Sequence, residues 1–312
     1  MKGPWVLREI STFFAFLTMR PILAQFLARR YESVKSENPG KQRRYWQLRV
    51  LREFWASNPA KPGEHEPTET PSESVMNIFT QDDDPYDEIL SDVIGGIVIR
   101  TDFSNEEAWN TFSTRLKAAE DEISGGGQDT TAAGPSSVEG STPTQVPDVD
   151  MEDGNDSDDS EDENVDGKLI KIIDPTQPEQ RAIFQNISNI RTLRLFNDMD
   201  IRPAPPVPSG HRRFSPPHPL VDYAGWQEIY TGVTLWVYDS TSNIDQSARL
   251  ISAEGDIYGT ATGDSWRAQV SHIPDLQLSM TFEHMKINFG GMDRWDYSER
   301  KRNLAEVEML ES

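Results

Sequence analysis

The stretch from Leu220 to Tyr297 constrains the fold of this chain more than any other. It runs through GWQEIYTGVTLWVYD, ATGDSWRAQVSHIP and MTFEHMKINFGGMDRWDY, and gathers Trp226, Tyr230, Trp236, Tyr238, Tyr258, Trp266, Phe282, Phe289, Trp295 and Tyr297. Aromatic rings on this scale supply most of the burial free energy of a small core, at about 25 cal/mol per Å² of apolar area. A segment this rich in aromatic and β-branched residues has to fold. Strands are expected near Leu235–Tyr238, Ala248–Ser252, Trp266–His272, Leu278–Phe282 and Lys286–Phe289, with a final helix from Ser298 to Leu310.

Two apolar runs lie outside that stretch and need a common core. GGIVIRT (Gly95–Thr101) and KLIKIIDP (Lys168–Pro175) read as buried strands, because neither alternates polar with apolar residues. The first feeds DFSNEEAWNTFSTRLKAAEDEI, where Ser104 and Glu107 have the spacing of a capping box. Ala108, Phe112, Leu116, Ala119 and Ile123 give that helix one apolar face, with Trp109 beside it. A helix starting near Pro178 and the run RTLRLFNDMDI follow the second strand. A lone strand–helix unit cannot bury both faces of its strand, so the two pieces are expected to pack together.

Between them the composition changes sharply. From Lys117 to Lys168 there is no basic residue between the two lysines but sixteen acidic ones, within a chain whose formal net charge is −22. Gly, Ser and like charge make this an extended spacer with too little apolar surface to offset its ordering entropy. The expected fold class is therefore α+β: one mixed-sheet domain with flanking helices, interrupted by a long acidic disordered insertion. Its parts are a basic, partly helical N-terminal extension (1–55), a disordered Pro/Glu/Thr/Ser linker (56–85), a first strand–helix piece (86–123), the spacer (124–167) and the remainder of the domain (168–312).

Residues 1–53 carry eleven Lys and Arg against four acids. Arg20 and Pro21 break the apolar run WVLREISTFFAFLTMRPILAQFLARRY before it reaches the ~20 residues a bilayer needs. An amphipathic helix broken near Pro21 fits better, and KQRRYWQLRVLREFW continues as a second one. The KQRR start is a weak nuclear-import pattern. No small-residue cleavage site follows the apolar run, so cytoplasm or nucleus is expected, with a mitochondrial presequence in residues 1–30 as the alternative.

The chemistry the sequence excludes is clearer than the chemistry it offers. With no cysteine, thiol nucleophiles, disulfides and Cys-based metal sites are ruled out. The five histidines have no HExxH-type spacing, and GxSxG, Walker and GxGxxG motifs are absent; no cofactor and no metal are expected. The acidic balance argues against sequence-independent nucleic-acid binding. Met280, Met285 and Met292 read as core fillers. Arg202 to Pro208 fits R-x-x-P-x-x-P but reads better as a stiff connector. Ser157 and Ser160, followed by acids, are candidate phosphorylation sites in the spacer.

Polar residues at strand ends are the candidate ligand site: Arg100, Asp102, Asp239, Asp264, Arg267 and Asn288. The arginines suit a carboxylate or phosphate and the aspartates suit acid and base roles. Structural pairing is the preferred reading of all six. The sequence thus favours a non-enzymatic interaction or scaffold protein with a protein partner. The alternative is a small-molecule binder or hydrolase-like enzyme built on Asp102, Asp239 and Arg267.

RLFNDMDIRPAPPVP, LVDYAGWQEIYTGVTLWVYD, GTATGDSWRAQVSHIP and FGGMDRWDYSERKRNLAEVE resemble a family of filamentous-fungal proteins with no assigned activity. More distantly, IVIRTDFSNEEAW, TLWVYDS, SWRAQV and MKINF are similar to segments of a small bacterial family of unknown function. There, an RTDF–helix opening precedes a V-A-D strand end, an F-R-V strand and an N-M-D-F strand. The likeness covers Ile97–Phe112 and Leu193–Asn303; Tyr238 stands where the bacterial pattern has a small residue, and Lys286–Phe289 departs from N-M-D-F. It implies one interrupted α/β domain and lends no activity.

Overall fold

A computed structural model describes residues 20–64, 82–125, 168–207, 216–289 and 296–307. In chain order the helices are α1 (Pro21–Glu37), α2 (Arg43–Ala56), α3 (Pro85–Leu90), α4 (Glu106–Gly125), α5 (Pro178–Phe184), α6 (Asn189–Phe196), α7 (Ser242–Asp245), α8 (Ile273–Phe282) and α9 (Tyr297–Glu306). The strands are β1 (Val93–Arg100), β2 (Lys168–Ile173), β3 (Asp198–Pro203), β4 (Trp226–Thr231), β5 (Thr234–Tyr238), β6 (Ser247–Ile251) and β7 (Ser265–Gln269). Five of them form a sheet ordered β2-β1-β5-β6-β7, and β3 pairs with β4 in a separate ribbon. β1 runs parallel to β2 and β5, while β6 and β7 add antiparallel. The fold is α+β with a mixed sheet.

Both faces of the sheet are covered, which explains the unbroken apolar strands. Ile97, Ile99, Leu235 and Val237 point to one core; Val98, Trp236 and Tyr238 point to the other. The second core is closed by Trp109, Phe112 and Leu116 of α4 and by Ile273 of α8. Trp109 is therefore at the centre of the α4 face and not beside it. The helix cap is also one residue later than expected: Asn105 Oδ1 accepts from the Ala108 amide at 3.0 Å, while the Ser104 hydroxyl turns to Asp102. Close packing of α8 on β1 depends on Gly96, where any side chain would collide with Gln277 and approach the Thr234 carbonyl to 3.0 Å.

The first core is larger and draws on residues from Leu23 to Val307. Pro21 opens α1, where its missing amide hydrogen costs nothing. Leu23, Leu27, Tyr31 and Val34 of α1 and Val50, Leu51, Phe54 and Trp55 of α2 are buried together with β1, β5, α6 and the β3–β4 ribbon. The basic run at the start of α2 is buried as well. Arg43 pairs with Asp87 at 2.7 Å, and Arg44 with Asp84 at 2.6 Å and Asp87 at 2.9 Å. These arginines hold α2 to α3, so two of the residues of the KQRR pattern are internal ion-pair partners. On the far side of α2, the Ala60 carbonyl accepts from Trp226 Nε1 at 2.7 Å.

Several strand expectations are corrected. Leu278–Phe282 lies in α8, which Pro274 initiates in its first turn. The alternation of Leu276, Leu278, Met280 and Phe282 imitates a strand, but Ile273 and Gln277 are buried four residues apart, the spacing of a helix. Lys286–Phe289 forms no strand and, apart from Phe289, is largely exposed. Beyond Gln269, the run to His272 is a turn of 3₁₀ helix. The β3–β4 ribbon was not foreseen: α6 stops at Phe196, and Asn197 then exchanges two 3.1 Å side-chain hydrogen bonds with the Val233 backbone. Of the aromatic stretch, Tyr258, Phe282 and Tyr297 are exposed rather than buried.

Candidate functional site

The parallel strands β2, β1 and β5 all end in carboxylates at one edge of the sheet: Asp174, Asp102 and Asp239. Side-chain alternation sends Arg100 to the α4 face, where it is fully buried. Its Nη1 donates to Glu106 at 2.9 Å and to Asp174 at 3.3 Å, and its Nε donates to the Asp102 carbonyl at 3.1 Å. The guanidinium lies 5.0 Å from the ring centroids of both Phe103 and Trp109, and Trp109 Nε1 donates to Asp174 at 2.8 Å. Arg100 is thus the peg on which β1, α4 and the end of β2 are assembled. The hydrogen bond to Arg100 holds the Glu106 carboxyl below the usual range.

Asp102 closes the turn into α4. Its Oδ1 accepts from the Ser104 amide at 2.9 Å, the Ser104 hydroxyl at 2.5 Å and Asn243 Nδ2 at 2.8 Å. Asn243 in turn accepts from the Tyr238 hydroxyl at 2.6 Å, tying α7 to β5. Burial would raise the Asp102 pKa, but the Ser104 and Asn243 hydrogen bonds outweigh it and hold the carboxyl below its ordinary value. A carboxylate so stabilised is a weak base at neutral pH.

On the opposite face, Asp239 caps the α7 turn through the amides of Thr241 and Ser242 at 3.0 and 3.2 Å. Its other oxygen bonds Arg267 and lies 3.3 Å from Arg249 Nη1. Arg249 and Arg267 are directly opposed on β6 and β7, and their like charges are held together by that one oxygen. Arg249 is 7% exposed and also approaches Glu299 of α9 at 3.8 Å.

Asp264 lies apart. β6 is antiparallel, so Asp264, which meets the backbone beyond its end at Ser252, sits at the other edge of the sheet. It accepts from the Ala261 amide at 2.8 Å and from Arg300 at 3.1 Å, while its second oxygen is buried without a partner among the described residues. Burial, opposed by Arg300, pushes its pKa up to about 6. Asn288 is exposed beyond α8. Ser157 and Ser160 lie outside the described residues.

The structure therefore joins Asp239 to Arg267, links Asp102 to Tyr238 through Asn243, and separates Asp264 from both. Sequence reasoning missed Asp174, Asn243 and Arg249. A charged residue in the apolar run ARLIS was the available signal for Arg249. Among the described residues no group of three or more His, Asp or Glu is placed to hold a metal ion, and no helix is long and apolar enough to cross a membrane. Comparison with known proteins returns no matching family model, no similar curated protein and no similar solved structure.

Proposed function

We propose that this protein is a non-enzymatic interaction protein whose α+β body presents a protein-binding surface. The observation that carries the reading is an exposed aromatic junction between α9 and the loop before β7. Arg300 bonds the Gly259 carbonyl at 3.0 Å and Asp264 at 3.1 Å, fixing that loop against the helix. Tyr258, beside the acceptor, is 58% exposed, and Tyr297, one turn before Arg300, is 63% exposed. Lys301 lies 4.9 Å over the Tyr297 ring. Exposed Tyr on a rigid frame beside Arg is the composition of protein-interface hot spots. The strand-end aspartates and arginines, by contrast, are committed to internal partners, which weighs against the hydrolase-like alternative.

The test is affinity capture from native extract with the intact chain and a Tyr258→Ser/Tyr297→Ser variant of matched thermal stability. A partner set held by the intact chain and depleted by the variant supports the reading. Equal retention by both, or nothing above background, overturns it. A cysteine-free chain suits a reducing compartment, so the same reading places the protein in cytoplasm or nucleus; mitochondrial import of an intact C-terminal fusion would contradict that placement.

A further inference from the structure

A cavity of about 450 Å³ opens where the α1–α2 turn meets α3, α6 and the end of α9. Its charged lining consists of Lys41, Arg44, Arg191 and Arg194 against Asp84 and Glu306. Most of these are already used. Arg44 is paired with Asp84 and Asp87; Arg194 bonds Tyr230 at 3.0 Å and Glu228 at 3.3 Å; Glu306 bonds Ser188 and Arg302. Two cations remain. The Arg191 side chain has no hydrogen bond or ion pair among the described residues, although it is half-buried. Among the described residues, exposed Lys41 meets only the face of Tyr45, at 5.1 Å from the ring centroid. Leu48 and Leu195 add apolar wall beside Tyr45 and Tyr86.

A half-buried guanidinium with no counter-ion among the described residues is available to pair with an anion from solution. We infer that this cavity binds a small phosphomonoester with an aromatic or apolar body, its phosphate held between Arg191 and Lys41. A phosphomonoester carries a charge of roughly −1.5 to −2 at neutral pH, matching the two unmatched cations better than a carboxylate does. The guanidinium fork accommodates two phosphate oxygens, and the ammonium supplies a point charge. The Tyr45, Tyr86 and Leu195 walls accept the body, and the volume is that of a small-molecule site. None of the six strand-end candidates lines it.

Isothermal titration of the intact chain with phenyl phosphate, inorganic phosphate and benzoate tests this. Phenyl phosphate is expected to bind at least about tenfold more tightly than the other two, and Arg191→Gln and Lys41→Gln each to weaken it about tenfold or more. Circular dichroism melts of both variants should match the parent, because neither side chain has an ion-pair partner to lose among the described residues. Phenyl phosphate that binds no better than inorganic phosphate, no saturable heat at all, or unchanged affinity in Arg191→Gln with the fold intact overturns the assignment.

Discussion

The strand-end cluster and the α2–α6 cavity are both rich in charge, and they differ in what the charges face. At the strand ends, Arg100, Arg249 and Arg267 meet Glu106, Asp174, Asp239 and Glu299 within the fold. In the cavity, Arg44 and Arg194 are neutralised, whereas Arg191 and Lys41 have no ion-pair partner among the described residues. Residue type does not distinguish the two regions; pairing does. Removing a charge that is already matched exposes its partner, whereas removing an unmatched one leaves the fold unchanged and removes only what it can recruit from solution.

The largest contrast should come from Asp174→Leu. That change leaves the fully buried Arg100 with the more exposed Glu106 as its one carboxylate among the described residues, and strips Trp109 Nε1 of its acceptor. A loss of roughly 3–5 kcal/mol is expected in urea unfolding; a loss under about 1 kcal/mol would make the cluster dispensable to the fold.

How far this division was legible in the sequence varies with the locality of the interaction. β1, β2 and α4 followed from runs and spacings within a dozen residues. The positions of Asp102 and Asp239 at strand ends were legible for the same reason. Their partners were not, since Arg249 and Asn243 reach them through sheet pairing and the α7 turn. The burial of Arg43 and Arg44 was equally hidden: the acids that neutralise them lie some forty residues on, so the sequence leaves open whether this basic helical extension packs on the main body or frays from it. Alternating Leu and Met in α8 gave a false strand period, and the prolines after β3 hid a ribbon whose register runs up to Pro203.

Asp264 gives an intermediate test, because it is paired with Arg300 and yet kept partly proton-loving by burial. Its folded pKa, raised from 3.8 to about 6, means the folded chain holds this proton more tightly than the unfolded chain. The resulting stability is full below about pH 4 and lost as pH rises through about 6. Asp264→Asn should therefore gain on the parent by up to about 3 kcal/mol between pH 4 and pH 7. A difference that stays flat with pH would show that Arg300 fully offsets the burial.

Trp109→Phe keeps most of the ring contacts with Phe112 and Tyr238 but removes the 2.8 Å bond to Asp174. About 1–2 kcal/mol is expected from unfolding curves, with no change in partner capture. At the bottom of the scale, Arg191→Gln should alter stability by less than about 0.5 kcal/mol, as surface-type substitutions do.

The most direct measurement is a double-mutant cycle on Asp239 and Arg249, using Asp239→Leu, Arg249→Met and the pair. If the strand-end charges are structural, each single change destabilises strongly and the double change costs less than their sum, with a coupling of about 1–3 kcal/mol. Additive losses, with coupling near zero, would mean that Asp239 and Arg249 do not sustain one another, and that the strand ends hold charge for some purpose other than the fold.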